Sequence, residues 1–110
     1  MAKTKIYEVS GAASNAQVLH IPVATVGDPT GGAVSHAIVP RGQRPVAGDL
    51  VAGTWGAWDA AAGEAPSYTD TVGGSSATTN VSRLKEWDVY VSFVVGSETP
   101  LEKVGLLRVI

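Results

Sequence analysis

The chain of 110 residues contains no cysteine, which excludes a disulfide framework and a thiolate metal site. Charge is also scarce. Charged residues make up 16% of the sequence and the formal net charge is -2, against a usual charged share of about 25%. That balance gives no basic excess for nucleic acid and no charged tract of the disordered kind. Aromatic residues reach only 6%. No apolar run approaches the roughly 18 residues of a membrane span. Met1-Ala2-Lys3-Thr4-Lys5 leads into Ile6 without the apolar core of a secretory signal, so synthesis in a cytoplasm is expected.

What is present is Val, Ala and Gly, with hydrophobic residues at 45%. A domain of this size buries only about two-thirds of its unfolded surface. Small soluble monomers normally carry more surface charge. The composition fits a domain much of whose surface is covered by other subunits; the alternative is a small β domain with a Ser/Thr-rich surface.

The hydrophobic pattern is that of strands. From Trp87 to Val95 the residues Trp87, Val89, Val91, Phe93 and Val95 fall on one face, with Asp88, Tyr90 and Ser92 on the other. Gly96 to Pro100 reads as a turn. Leu101 to Ile110 reads as a final antiparallel strand, with Val104, Leu106, Arg108 and Ile110 on one face. Earlier candidates are Lys5–Val9, Gln17–Thr25 and Ala33–Pro40. In the second of these Leu19, Ile21 and Val23 share a face, and Pro22 predicts an edge strand or a bulge. Gly27 to Gly32 is a turn. Ala57 to Ala65 is expected to form at most one helical turn, ended by Gly63 and Pro66. Tyr68 to Val72 is a further strand candidate, Gly73 to Ser76 a flexible loop, and Thr78 to Lys85 the lead into the strong strand.

About seven short strands at this spacing predict an all-β chain, an immunoglobulin-like antiparallel β-sandwich over residues 17–110. Residues 1–16 are expected to be an N-terminal arm or first strand. Ile6, Tyr7 and Val9 are candidates to add a strand to a neighbour's sheet edge.

Catalytic chemistry finds little support. The two histidines, His20 and His36, lie on predicted strands, and no spacing with Asp28, Asp49 or Asp70 suggests a metal set. No Gly-x-Ser-x-Gly elbow occurs. The glycines of Gly27 to Gly32 lack the Gly-Lys-Ser/Thr ending of a phosphate loop. No catalytic, cofactor or metal residue is therefore expected. Arg41 and Arg44 are candidates to meet an acidic partner. Trp55 and Trp58, in a Gly-rich setting, are candidate interface anchors or a stacking platform for sugar.

The layout resembles small structural proteins of tailed bacteriophages, especially those infecting actinobacteria. The segments concerned are Val18 to Val23, the turn Asp28-Pro29-Thr30-Gly31, Ala37 to Pro40 through Arg44-Pro45, Ala47 to Trp55, and the hairpin from Trp87 to Phe93 through Glu98 to Leu101 and Val104 to Val109. The stretch between Trp58 and Lys85 departs from that layout. The resemblance implies a virion protein without enzymatic activity. Its expected role is capsid decoration or accessory, stabilising the shell by bridging copies of the major capsid protein or other virion subunits. It would be multi-copy or homo-oligomeric, with no nucleic-acid or membrane partner. A head-to-tail connector or tail component, and a carbohydrate- or receptor-binding sandwich, are the other readings.

Overall fold

The computed structural model describes residues 5–9, 18–72, 86–94 and 97–109. Within them lie eight strands: β1 (Lys5–Val9), β2 (His20–Ala24), β3 (Val34–Pro40), β4 (Val51–Ala52), β5 (Thr54–Trp55), β6 (Glu64–Tyr68), β7 (Glu86–Phe93) and β8 (Leu101–Val109). A single 3-10 turn, Ala47–Asp49, lies between β3 and β4. The expectations placed on residues 1–4, 10–17, 73–85, 95–96 and 110 lie outside the described residues.

The strands form two sheets, one in the order β1-β8-β7-β3-β4 and one in the order β2-β6-β5. The described residues are mostly β and form two sheets, compatible with the all-β sandwich that the alternating pattern predicts. Leu19, Ile21 and Val23 are all buried, and β2 is an edge strand, as Pro22 requires. Pro22 faces Pro66 across the β2–β6 ladder. The Pro66 carbonyl instead accepts from the Gly56 N–H, 2.7 Å away on the other side of β6. In an antiparallel strand the N and O of one residue point to the same side. The two prolines thus meet at a position where neither owes its neighbour a hydrogen bond.

Several expectations need correction. Lys5–Val9 is a strand, as expected, but the antiparallel arrangement fails there: β1 pairs in parallel with β8 of its own chain, so the larger sheet is mixed. Leu106 and Arg108 do not share the inward face with Val104. Val89 pairs with Gly105 and Tyr90 with Lys103, which leaves Val104 as the extra residue of a β-bulge. Beyond it the alternation changes phase, so Leu107 is fully buried while Arg108 is exposed. Ala57 to Ala65 holds the one helical turn expected and no more, since the Gly63 N–H reaches the carbonyl four residues back. The Asp59 carboxylate accepts from the Ala61 and Ala62 N–H groups, and the Asp59 carbonyl accepts from Gly63, which turns the chain directly into β6. The strand expected at Tyr68 to Val72 starts four residues earlier, at Glu64.

The apolar interior is divided. One cluster joins Tyr7, Leu19, Ile21, Val72, Val89 and Leu107; the other joins Val23, Val34, Val91 and Phe93. Along β3, Val34 belongs to the second cluster and Ile38 packs on the first. Between them in the alternation stands His36.

Candidate functional site

Three places concentrate the polar chemistry of the described residues. The first is the boundary between the two apolar clusters. His36 Nε2 lies 2.9 Å from Ser67 Oγ, and Ser67 Oγ donates to the Ile21 carbonyl at 2.7 Å. A hydroxyl has one proton. Because that proton goes to Ile21, His36 must donate through Nε2–H, which leaves Nδ1 as the bare nitrogen. Nδ1 is buried and has no hydrogen-bond partner. Burial lowers the imidazole pKa to about 4, so the ring is neutral at pH 7.

Gly53 closes this site. Its N–H donates to the Val34 carbonyl at 2.8 Å in the larger sheet, while the next two residues, Thr54 and Trp55, pair with β6 in the smaller one. Gly53 is therefore the corner at which the chain changes sheets. A Cβ here would stand 2.5 Å from His36 Cε1, 2.6 Å from Nδ1 and 2.7 Å from the Tyr68 carbonyl oxygen. Only glycine fits so close an approach.

A serine hydroxyl beside a histidine is the nucleophile–base pairing of many hydrolases. The geometry here runs the other way. The Ser67 proton points at a carbonyl, no carboxylate orients Nδ1, and both side chains are buried. The arrangement binds β3, β6 and β2 together and ties the two sheets across the interior.

The second place is the lower margin of the larger sheet. Pro40 to Gln43 forms a turn closed by the Gln43 N–H on the Pro40 carbonyl, and Gly42 at its third position has φ +89°. A type II turn needs that conformation. The Gly42 N–H donates to Asp88 Oδ2 at 2.9 Å. Asp88 is 2% exposed, although it lies on the face of β7 opposite Val89 and Val91. Its other oxygen lies 3.2 Å from Lys103 Nζ, an ion pair without aligned hydrogen-bond geometry. The turn carries Arg41, whose guanidinium reaches Glu86 at 3.1 Å. Arg44 is exposed. Past the turn Pro45 is buried and the 3-10 turn lies against β3. Ala37 and Val39 of β3 are buried although they point away from the second sheet.

No family model matches the chain, nor does any curated protein or solved structure. Its residues must therefore be read on their own geometry.

The third place is the end of the sandwich where β3 begins. Trp55 is half-buried, donates its indole N–H to the Gly32 carbonyl at 2.9 Å and meets Phe93 edge to face at 6.4 Å. It is an anchor of the molecule's own interior. Trp58 is half-buried in the connection after β5. On the outer face of the smaller sheet His20 and Tyr68 stack at 5.2 Å.

The remaining sequence candidates separate. Tyr7 lies in the first apolar cluster, where burial pushes its phenol pKa up. Its neighbour Ile6 is 50% exposed on the edge strand β1. Val9 ends the same strand. The structure does not bring Ile6, Arg41 and Trp55 into one site. Sequence reading misses Gly53, Ser67 and Asp88. A Ser in inward alternation with Ala65 and Thr69 is the available signal for Ser67, and a lone acid within a Val-rich strand the signal for Asp88. Among the described residues no group of three or more His, Asp or Glu side chains converges to hold a metal.

Proposed function

We propose that this chain is a structural subunit without enzymatic activity, which acts by covering and bridging other subunits of a larger assembly. In its specific form the reading is a capsid decoration or accessory protein of a tailed-phage virion, made in the host cytoplasm and present in many copies. The observation that carries it is the outer edge of β1, which pairs with no further strand among the described residues and leaves Ile6 half-exposed. Sheet edges of this kind accept strands from partners. The low charge of the chain and its layout support the same reading.

The strand order supports an immunoglobulin-type sandwich. β2, β6 and β5 take the places of strands B, E and D, and β3, β7 and β8 those of C, F and G, with β4 as the additional C′ strand. The first strand departs from that plan by joining β8. The place of the inter-sheet disulfide of antibody domains has no counterpart in a chain without cysteine; the His36–Ser67 link is a tie between the sheets of a different kind.

The sugar-binding reading draws no support from Trp55, since its N–H is bonded internally and its ring packs on Phe93. Position in the particle distinguishes decoration from a connector or tail role. Particles purified from cells that make the protein should contain it in many copies on the shell, by mass spectrometry and imaging. Finding it only free in the cell overturns the proposal, and finding it only at a vertex or in the tail moves it to the connector class.

A further inference from the structure

The His36 site has an asymmetry that a purely passive tie does not need. One ring nitrogen is committed to Ser67, and the other, bare nitrogen faces the Gly53 corner with no hydrogen-bond partner. The facing side chains offer nothing to receive a second N–H. β4 presents Val51 in register with His36, β7 presents Val91, β6 presents the Ser67 hydroxyl already donated away, and β2 presents the Ile21 carbonyl already occupied. None of these facing side chains is titratable or charged. The Tyr68 carbonyl across Gly53 makes no hydrogen bond to the ring.

The corner itself is weakly held. β4 and β5 are two residues each, and Val51 is only half-buried. Local opening draws on segments of this kind. Beyond the corner, Trp55 is pinned by Gly32 and Phe93, and Gly56 by Pro66.

We propose that His36 is an acid-operated latch: protonation at Nδ1 drives the corner Val51–Gly53 off β3 while Trp55 and the rest of the sandwich stay in place. An imidazolium in the closed site would carry a buried N–H and a buried charge without a partner, a costly combination. Lifting the corner lets water reach Nδ1. The opening takes up one proton. With the ring pKa at about 4 when closed and near the ordinary 6.5 when open, the opening constant rises as pH falls through that window. The slope approaches tenfold per pH unit, and the total is about 300-fold.

Hydrogen exchange on the full chain between pH 7.5 and 4, read by NMR as opening constants, tests this. The Gly53 amide reports the corner, and the Gly56 and Thr69 amides report the body. The expected result is a rise for Gly53 that sets in near pH 6.5 and continues to about 4, where the closed His36 ring itself titrates, with Gly56 and Thr69 much less affected. Equal rises at all three amides would mean global unfolding and overturn the latch. So would a His36 that titrates while Gly53 stays protected, which would mean that the closed site accommodates the proton. His36→Gln, which keeps a donor but does not titrate, should abolish the pH dependence at Gly53, whereas His20→Gln should leave it unchanged. If His36→Gln does not fold, the wild-type comparison of the three amides still decides.

Discussion

His36 and Ser67 stand on different sheets, and the 2.9 Å contact between them is continued by the Ser67 hydroxyl to the Ile21 carbonyl. One serine thus satisfies two buried partners. Ser67→Ala leaves the His36 N–H without an acceptor and the Ile21 carbonyl without this donor. The expected loss is about 2 to 3 kcal/mol, from the cost of orphaned buried polar groups. Urea unfolding should show a lower midpoint with an unchanged slope.

Gly53→Ala should be worse tolerated than its small size suggests. The new methyl meets the His36 ring and the Tyr68 carbonyl inside 3 Å, and forced overpacking costs about 1 to 3 kcal/mol or more. Gly48→Ala is the control, because a Cβ there meets nothing within 4 Å. Thermal melts of the two variants should separate clearly, with Gly48→Ala within about 0.5 kcal/mol of the parent.

Asp88 holds the turn that displays Arg41. Asp88→Asn retains an acceptor for the Gly42 N–H but loses the charge facing Lys103. Asp88→Ala loses both. The alanine variant should lose about 1 to 3 kcal/mol, with the asparagine variant between it and the parent. Lys103 is half-exposed, so the deficit of the asparagine variant should shrink as salt is added. A deficit in Asp88→Asn equal to that of Asp88→Ala would show that the turn does not depend on the Gly42 bond.

Trp55→Phe keeps a ring beside Phe93 and removes the indole N–H that Gly32 accepts. A loss of about 1 kcal/mol is expected. It should come with faster amide exchange in the connection between β2 and β3.

Global stability should fall in mild acid. The closed-state pKa of His36 lies below the ordinary value, so the unfolded chain binds the proton first as pH drops. The contribution is intact above about pH 6.5, declines as pH falls from there to about 4, and is then exhausted. Its size is about 3 kcal/mol, since a tenfold difference in proton affinity corresponds to about 1.4 kcal/mol. Urea titrations across that range should show the decline in the parent and a weaker one in His36→Gln.

Some of this is legible in the sequence. Alternation places Leu19, Ile21 and Val23 inward, and the Gly and Pro residues near Asp28 and Pro100 punctuate the strands where the structure turns. Other features depend on partners distant along the chain. Nothing near Lys5 announces that β1 will lie parallel to β8. A single extra residue at Val104 inverts every later position of β8, which strict alternation cannot foresee. Pro66 hides β6, because a proline argues against a strand until its missing N–H is seen to face Gly56, just past the end of the two-residue β5. His36 reads as an ordinary strand residue; its role arises from Ser67 and Gly53, which are 31 and 17 positions away.

The two prolines also set a limit on assembly. Of the four sheet edges, β4 and β5 are two residues long and β2 carries Pro22 at its centre, which has no N–H to offer. That leaves β1 as the one edge of useful length among the described residues. Fibres built by edge pairing need two such edges per molecule. With a valence of one, the described residues can terminate another chain's sheet or pair with one copy of themselves, but they supply no second edge from which strand addition could propagate a filament.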